Sequence, residues 1–369
     1  MQLSLELEYW IVDDTGALAP ATPVLERIDD LHAESADAML EVVTDPCDTV
    51  PELREEVTAR LREAIDVARA EGRHLVPLGT PLNAESISTS DGPRTAIQRQ
   101  ILGEPFDNAT RCAGTHLHVD QIDGAETDQL NLLTALDPAF ALVASSPYHR
   151  GHNVAACARP HVYRRTCYGD YPQLGRLWPY VETLEEWDER IDTTFDRFRQ
   201  EALARGVDPA TFDEHFAPEN SIWAPIRLRE TYDTVEWRAP DVALPGQVLQ
   251  LAEDVRDILA LAADRRVEIG DRAGVTASTV SIPSFERLQH YVRMAINNGI
   301  DAPPLERYLQ TMGFDPTDYR PISAEFDTAS VSPARARWLR LRYANRLERE
   351  VEALAGTQSR AREPAIQPI

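Results

Sequence analysis

Three short stretches place chemically capable side chains two residues apart: Glu6 with Glu8, His116 with His118, and Glu236 with Arg238. Each stretch alternates apolar and polar residues as a strand does, so both members of a pair point to one face, about 7 Å apart along the chain. Carboxylates with imidazoles suit a hard divalent cation such as Mg²⁺ or Mn²⁺, which takes oxygen ligands and leaves positions open for phosphate. A guanidinium beside them matches phosphate or carboxylate geometry. Each pair also has a plainer reading. The glutamates suit the solvated face of an edge strand, the histidines could be satisfied within a strand, and an exposed Glu236–Arg238 ion pair would contribute only ~0–1 kcal/mol. Together on three segments, they could build a site for metal-bound phosphate.

The rest of the composition narrows the chemistry. Sixty-one acidic residues face 37 basic ones, for a formal net charge of -24, and every basic residue is arginine. Without lysine, Schiff-base catalysis and a Walker-type phosphate lysine are excluded, leaving arginine, histidine, metal or backbone to hold a phosphate. Such an acidic surface repels nucleic acids and anionic membranes. The acid surplus without lysine suits a halophilic cytoplasm, where molar salt screens charges beyond about 3 Å. Cys47, Cys112, Cys157 and Cys167 form no CxxC pair, which suggests buried thiols in a reduced cytosol. No apolar run approaches the ~20 residues of a membrane span.

The elements that must position these residues alternate irregularly. Leu3 to Val12, Met39 to Thr44, His74 to Gly79, Cys112 to Asp120 and Thr234 to Arg238 read as strands. A capping box at Thr49 to Glu52 opens a helix running to about Gly72, with Leu53, Val57, Leu61, Ile65 and Ala68 on one face. Further helices are expected over 127–143, divided at Asp137-Pro138, then from Thr183, over 245–263, 284–298, 304–312 and 333–355. Residues 145–180 read as an ordered loop, and 83–93 as a binding-type loop. This pattern gives one α+β domain over 1–355, with 356–369 a disordered tail.

Five motifs, in order, resemble those of glutamate-cysteine ligase family 2, the carboxylate-amine ligases. They are Leu5-Glu6-Leu7-Glu8-Tyr9, Glu41-Val42-Val43-Thr44, Gly114-Thr115-His116-Leu117-His118-Val119, Ala144-Ser145-Ser146-Pro147-Tyr148 and Thr234-Val235-Glu236-Trp237-Arg238. The stretch Glu236 to Asp241 also resembles a glutamine synthetase signature. The resemblance covers roughly residues 3 to 265 and implies a glutamine-synthetase-like fold: a curved, mainly antiparallel sheet with metal and ATP on its concave face and helices behind. It makes Glu6, Glu8, Glu41, His116 and Glu236 metal ligands, with Glu34 a further candidate in a loosely matching stretch. His118 and Arg238 would contact phosphate or substrate, and Arg238, Glu236 and His118 would form the catalytic set. Arg159, Arg164 and Arg227 match basic positions that would bind the nucleotide, with ion pairing as the alternative. Two departures stand out: the family has three consecutive acids where this chain reads Glu6-Leu7-Glu8, and the C-terminal third matches poorly.

The activity the resemblance implies is ATP-dependent joining of a carboxylate to an amine, with Mg²⁺ or Mn²⁺. Glutamate and cysteine would give γ-glutamylcysteine through a γ-glutamyl phosphate. A metal-dependent hydrolase or a non-catalytic nucleotide- or amino-acid-binding relative are the alternatives. The other seven histidines form no ligand spacing, which counts against the hydrolase. Homo-oligomerisation through strand edges or the late helices is compatible with the pattern.

Overall fold

A computed structural model describes residues 1–84, 86–89 and 92–362, the last six of these as backbone only. In chain order the elements are β1 (Leu3–Asp13), α1 (Thr22–Leu25), β2 (Leu31–Ala33), β3 (Met39–Val43), α2 (Val50–Ala70), β4 (Arg73–Val76), α3 (Pro93–Leu102), β5 (Thr115–Asp120) and α4 (Glu126–Leu136). A hairpin of β6 (Tyr148–His149) and β7 (His152–Asn153) leads to α5 (Ala158–Arg165), α6 (Leu184–Ala204), α7 (Pro209–His215), β8 (Ile226–Arg229), β9 (Thr234–Trp237) and α8 (Pro245–Leu259). The chain ends with β10 (Arg266–Ile269), β11 (Gly274–Val275), β12 (Thr279–Ile282), α9 (Phe285–Asn298), α10 (Pro303–Met312) and α11 (Pro333–Arg362).

The fold is α+β. Its main sheet runs β2-β3-β1-β5-β9-β8, with β4 also on β1, and every pairing in it is antiparallel. Strand alternation divides this sheet into two chemically different faces. Leu3, Leu5, Leu7 and Tyr9 are buried in the core, while Glu6 and Glu8 point the other way. Helices α2, α4 and α8 pack on the core side. Leu7 is fully buried there, so its departure from the family's acidic run leaves the opposite face intact.

Local signals decided several element ends. Thr49 and Glu52 cap α2 reciprocally, and Thr183 caps α6. Asp137-Pro138 ends α4, and the chain continues as a tight 3-10 turn to Val143. The region read as an irregular loop over 145–180 instead holds α5 and the β6-β7 hairpin. Its short, arginine-rich helix has no apolar periodicity strong enough to announce itself. Helix α11 does not stop at Gly356 but runs on to Arg362, because one glycine costs only about 1 kcal/mol and no proline follows until Pro364. Residues 363–369 of the expected tail lie outside the described residues, as do 85, 90 and 91 of the expected loop. Among the described residues no helix is long and apolar enough to cross a membrane.

One buried ion pair ties the helical layer to the strand that carries the chemistry. Asp137 is fully buried and accepts two bonds from Arg164, Nη1 at 2.8 Å and Nη2 at 2.9 Å. It also accepts from the Trp237 indole at 3.1 Å, fixing the residue between Glu236 and Arg238. Arg164 is thus spent on structure rather than held out for a nucleotide. Substituting Arg164→Met leaves Asp137 with an uncompensated buried charge, and a loss of about 3–5 kcal/mol is expected in urea unfolding.

Candidate metal and phosphate site

Strand register gathers the three pairs. On β1, Glu6 lies opposite His116 of β5 and Glu8 opposite Glu41 of β3. On β9, Glu236 lies opposite His118 of β5 and Arg227 of β8. A diagonal row of ionisable side chains therefore crosses five adjacent strands on the face away from the helices. In the row, His116 Nδ1 is 2.5 Å from Glu6 Oε2, and His116 Nε2 is 3.6 Å from Glu8 Oε1. The Gly114 amide donates to Glu8 Oε2 at 2.5 Å. His118 Nδ1 bonds the Thr234 hydroxyl at 3.1 Å, which turns its Nε2 toward Glu6 at 3.3 Å and Glu236 at 3.9 Å.

Glu236 is fully buried and takes charge from three arginines. Arg227 donates through Nε at 2.5 Å and Nη2 at 3.2 Å, Arg229 through Nη1 at 3.3 Å, and Arg238 through Nη1. Arg238 also lies 3.4 Å from His116 Nδ1, and about a fifth of its side chain stays exposed on the site face. Arg227 further donates to the Ile222 carbonyl at 3.1 Å, so its guanidinium is held to the sheet.

The electrostatics are opposite at the two ends of the row. Burial alone would raise the Glu6 carboxyl, yet the hydrogen bond with His116 and the close approach of the His118 ring hold it well below the usual carboxylate range. Burial also opposes ionisation of Glu236, and Arg238 then Arg227 overcome it. At the β3 end no cation pairs directly with Glu34 or Glu41 among the described residues, and the charge of Arg238 offsets their repulsion only in part. Glu34 is pushed up to about 8 by burial and then by Glu8. Glu41 is pushed up to about 9 by burial and then by Glu34, Glu6 and Glu8. Burial, then Arg238, lowers the His116 imidazolium and favours the neutral ring that metals bind.

The donor set fits divalent metal. Three overlapping groups, Glu6–Glu41–His116, Glu6–His118–Glu236 and Glu8–Glu34–Glu41, each bring one ligand atom per residue within 4.8 Å of the others. Among the described residues His118 Nε2 makes no hydrogen bond, although it is buried beside Glu6 and Glu236, which is the condition of an imidazole nitrogen kept for another partner. Oxygen-rich ligands with one or two imidazoles and no thiol suit Mg²⁺ or Mn²⁺. Glu34 joins this set because β2 delivers it beside Glu8 and Glu41.

Some of the residues named from sequence are placed elsewhere. Arg159 donates to the carbonyls of Arg238 and Ala239 at 3.0 Å and of Pro240 at 3.3 Å, clamping the chain after β9. It occupies the space beside Gly114, where an added Cβ would fall 2.0 Å from its Nη2, so glycine is required for the close approach. Asp241 of the signature stretch accepts from the Ser145 amide at 2.8 Å and hydroxyl at 3.2 Å, joining two of the motifs as scaffold. Arg229 and Thr234 touch the site and were not picked out from sequence. The alternation Arg227-Leu228-Arg229 carried the signal for the first, but β8 is too short to stand out from its surroundings.

A pocket of about 250 Å³ opens beside this row, lined by Glu6, His118, Thr44, Asp120, Tyr232 and Thr234 among others. The sequence pattern defining glutamate-cysteine ligase family 2 matches residues 3–289. The chain belongs to that family. A Rhodococcus jostii protein provisionally named glutamate-cysteine ligase 2-1 is 28% identical over 254 residues, 66% of this chain and 63% of that relative. A Salinispora tropica protein provisionally named glutamate-cysteine ligase 2 is 27% identical over 279 residues, 70% of this chain and 68% of its own. The match to the first thus spans less than two thirds of that relative. Among solved structures, glutamate-cysteine ligase from Francisella tularensis, in complex with AMP, superposes with a TM-score of 0.59 at 12% identity, covering 98% of this chain and 95% of that one. A bifunctional glutathione synthetase from Pasteurella multocida gives 0.58 at 13%, covering 95% and 52%. At these identities the two structures speak to the fold, which is that of the glutamine-synthetase-like ligases.

Proposed function

We propose that this chain is an ATP-dependent carboxylate-amine ligase that activates the γ-carboxylate of glutamate and joins it to an amine, with cysteine the favoured donor. The observation carrying this reading is the convergence of the three i, i+2 pairs into one partly buried row, where overlapping acid and imidazole triads adjoin arginine-held Glu236. Glu6, Glu8, Glu34, Glu41, His116, His118 and Glu236 are the residues that would hold divalent metal. When bound, the metal supplies positive charge that offsets repulsion between phosphate and carboxylate.

The chain's own residues account for the remainder. Arg238, anchored by Glu236 yet open to the site face, donates to the phosphoryl group as it passes from ATP to the carboxylate. The γ-phosphorus–oxygen bond to ADP breaks as a bond to the substrate carboxylate forms, giving an acyl phosphate. The amine then attacks the acyl carbon, expels phosphate and loses a proton. Arg227 and Arg229 position Glu236, and Thr234 orients His118. No nucleophilic side chain is required.

The test is ADP release in low and molar salt with ATP, Mg²⁺ or Mn²⁺, glutamate and a panel of amines, with products read by mass. Equimolar ADP and γ-glutamyl amide are expected, the cysteine adduct foremost. ATP-independent cleavage would favour a hydrolase, and nucleotide binding without turnover a non-catalytic relative. Either result would overturn the reading.

A further inference from the structure

A chain of net charge -24 has little reason to expose a basic surface, yet residues 333–349 carry six arginines and one glutamate. On α11, Arg335, Trp338, Arg342, Asn345 and Arg349 recur at spacings of three and four and are all exposed, so they form one stripe. The other side of the helix, with Ala336, Leu339, Tyr343 and Leu347, is buried in the core. Trp338 is 49% exposed, with the Arg335 guanidinium 3.9 Å over its ring and that of Arg342 at 5.8 Å. Among the described residues Arg335 and Arg349 make no ion pair, and Arg342 shares Glu325 with Arg346. An indole gripped by arginines and left in water is the composition of an interface anchor.

The surface complementary to it is on the same chain. Helix α6 exposes Glu185, Asp188, Glu189, Asp192 and Asp196, none of them in an ion pair among the described residues. Beside it runs a groove of about 450 Å³, walled by Leu184, Trp187, Ile191 and Leu228 and rimmed by Asp188 and Asp192. Asp188 is held above its ordinary range by burial and by the charges of Asp192 and Glu185, the condition of a rim short of cations. Helix α6 packs on α3 and α7, and α11 on α2, β4 and α8, and no ion pair joins the two stripes within the described chain.

We propose that a second copy of this chain covers this face: the Arg335–Trp338–Arg342 anchor of α11 seats in the acid-rimmed groove of α6, and the reciprocal contact closes a twofold dimer. Charge complementarity selects this occupant. The guanidiniums meet the rim carboxylates and the indole meets the apolar walls, local contacts that act against the net repulsion between two copies of charge -24. The inference is independent of the catalytic reading, although the groove also touches Arg227, the residue that holds Glu236.

Sedimentation of the full chain at about 0.1 M salt, where charges act over about 10 Å, tests it. The wild type is expected to sediment as a dimer, and Trp338→Ala, an exposed change that spares the core, to weaken dimerisation at least ~10-fold. Arg335→Glu with Arg342→Glu, and separately Asp188→Arg with Asp192→Arg, should each give monomers with wild-type circular dichroism. Mixed one to one, the two variants should restore a dimer, since both reciprocal contacts then pair opposite charges. A monomeric wild type, a W338A dimer of undiminished affinity, a mixture that stays monomeric, or an open-ended series of sizes would each overturn the proposal. So would cosedimentation with added RNA in place of self-association.

Discussion

Glu236→Gln is expected to lower both turnover and stability more than any other single conservative change in the row. The carboxylate is fully buried, and Arg227, Arg229 and Arg238 all spend hydrogen bonds on it. An amide keeps the volume but removes the charge, leaving the buried Arg227 and the largely buried Arg238 without their direct carboxylate partner, while Arg229 keeps Glu219. Breaking a buried pair this way costs about 3–5 kcal/mol. Turnover should fall ~10²–10³-fold or more, because Arg238 loses the anchor that aims it at the transferred group. Urea unfolding and ADP release measure the two effects separately. A variant with wild-type values for both would remove Glu236 from the centre of the site.

Divalent metal should stabilise the protein, and the effect should depend on pH in a defined direction. In the metal-free protein Glu34 and Glu41 hold protons up to about 8 and about 9, above the usual glutamate range of an unfolded chain. Between that ordinary value, about 4.3, and those raised values, the folded state binds more protons than the unfolded one. The stability of the metal-free protein therefore falls as pH rises through this window. Metal binding at neutral pH must displace those protons, so Mg²⁺ or Mn²⁺ should release protons and flatten the slope. At a hundredfold excess over its dissociation constant the metal adds about 2.7 kcal/mol. Glu41→Gln should abolish most of that gain and much of the slope. Thermal unfolding against pH, with and without metal, and calorimetry in buffers of different ionisation enthalpy are the measurements. Binding that leaves the pH slope unchanged and releases no protons would count against the β3-end acids as ligands.

How far the sequence could be read differs from residue to residue. Glu6, Glu8, His116, His118, Glu236 and Arg238 were legible because strand alternation has a period of two, and that geometry is set by neighbours in the chain. Glu34 was the weakest candidate, yet the fold brings it against Glu8 and Glu41, since β2 pairs with β3 rather than ending in a free loop. Arg159 and Arg164 looked like nucleotide-binding cations of the same standing as Arg227. The first grips carbonyls of the chain that follows β9 and the second neutralises Asp137. Nothing in their immediate sequence distinguishes a guanidinium aimed at solvent from one aimed at a buried partner far along the chain.

The sequence by itself determined the chemistry in stock: acids and imidazoles in same-face pairs, arginine as the sole cation besides metal, and a strand-and-helix pattern compatible with an α+β fold. Only the tertiary structure decided which of these groups meet. Glu6 faces His116 across 110 positions, and His118 faces Glu236 across 118, because burying Leu3, Leu5, Leu7 and Leu117 on the opposite side fixes the strand register. A slip of one residue would have turned every ligand into the core. The location of the site is thus a consequence of the apolar face, which carries none of its chemistry.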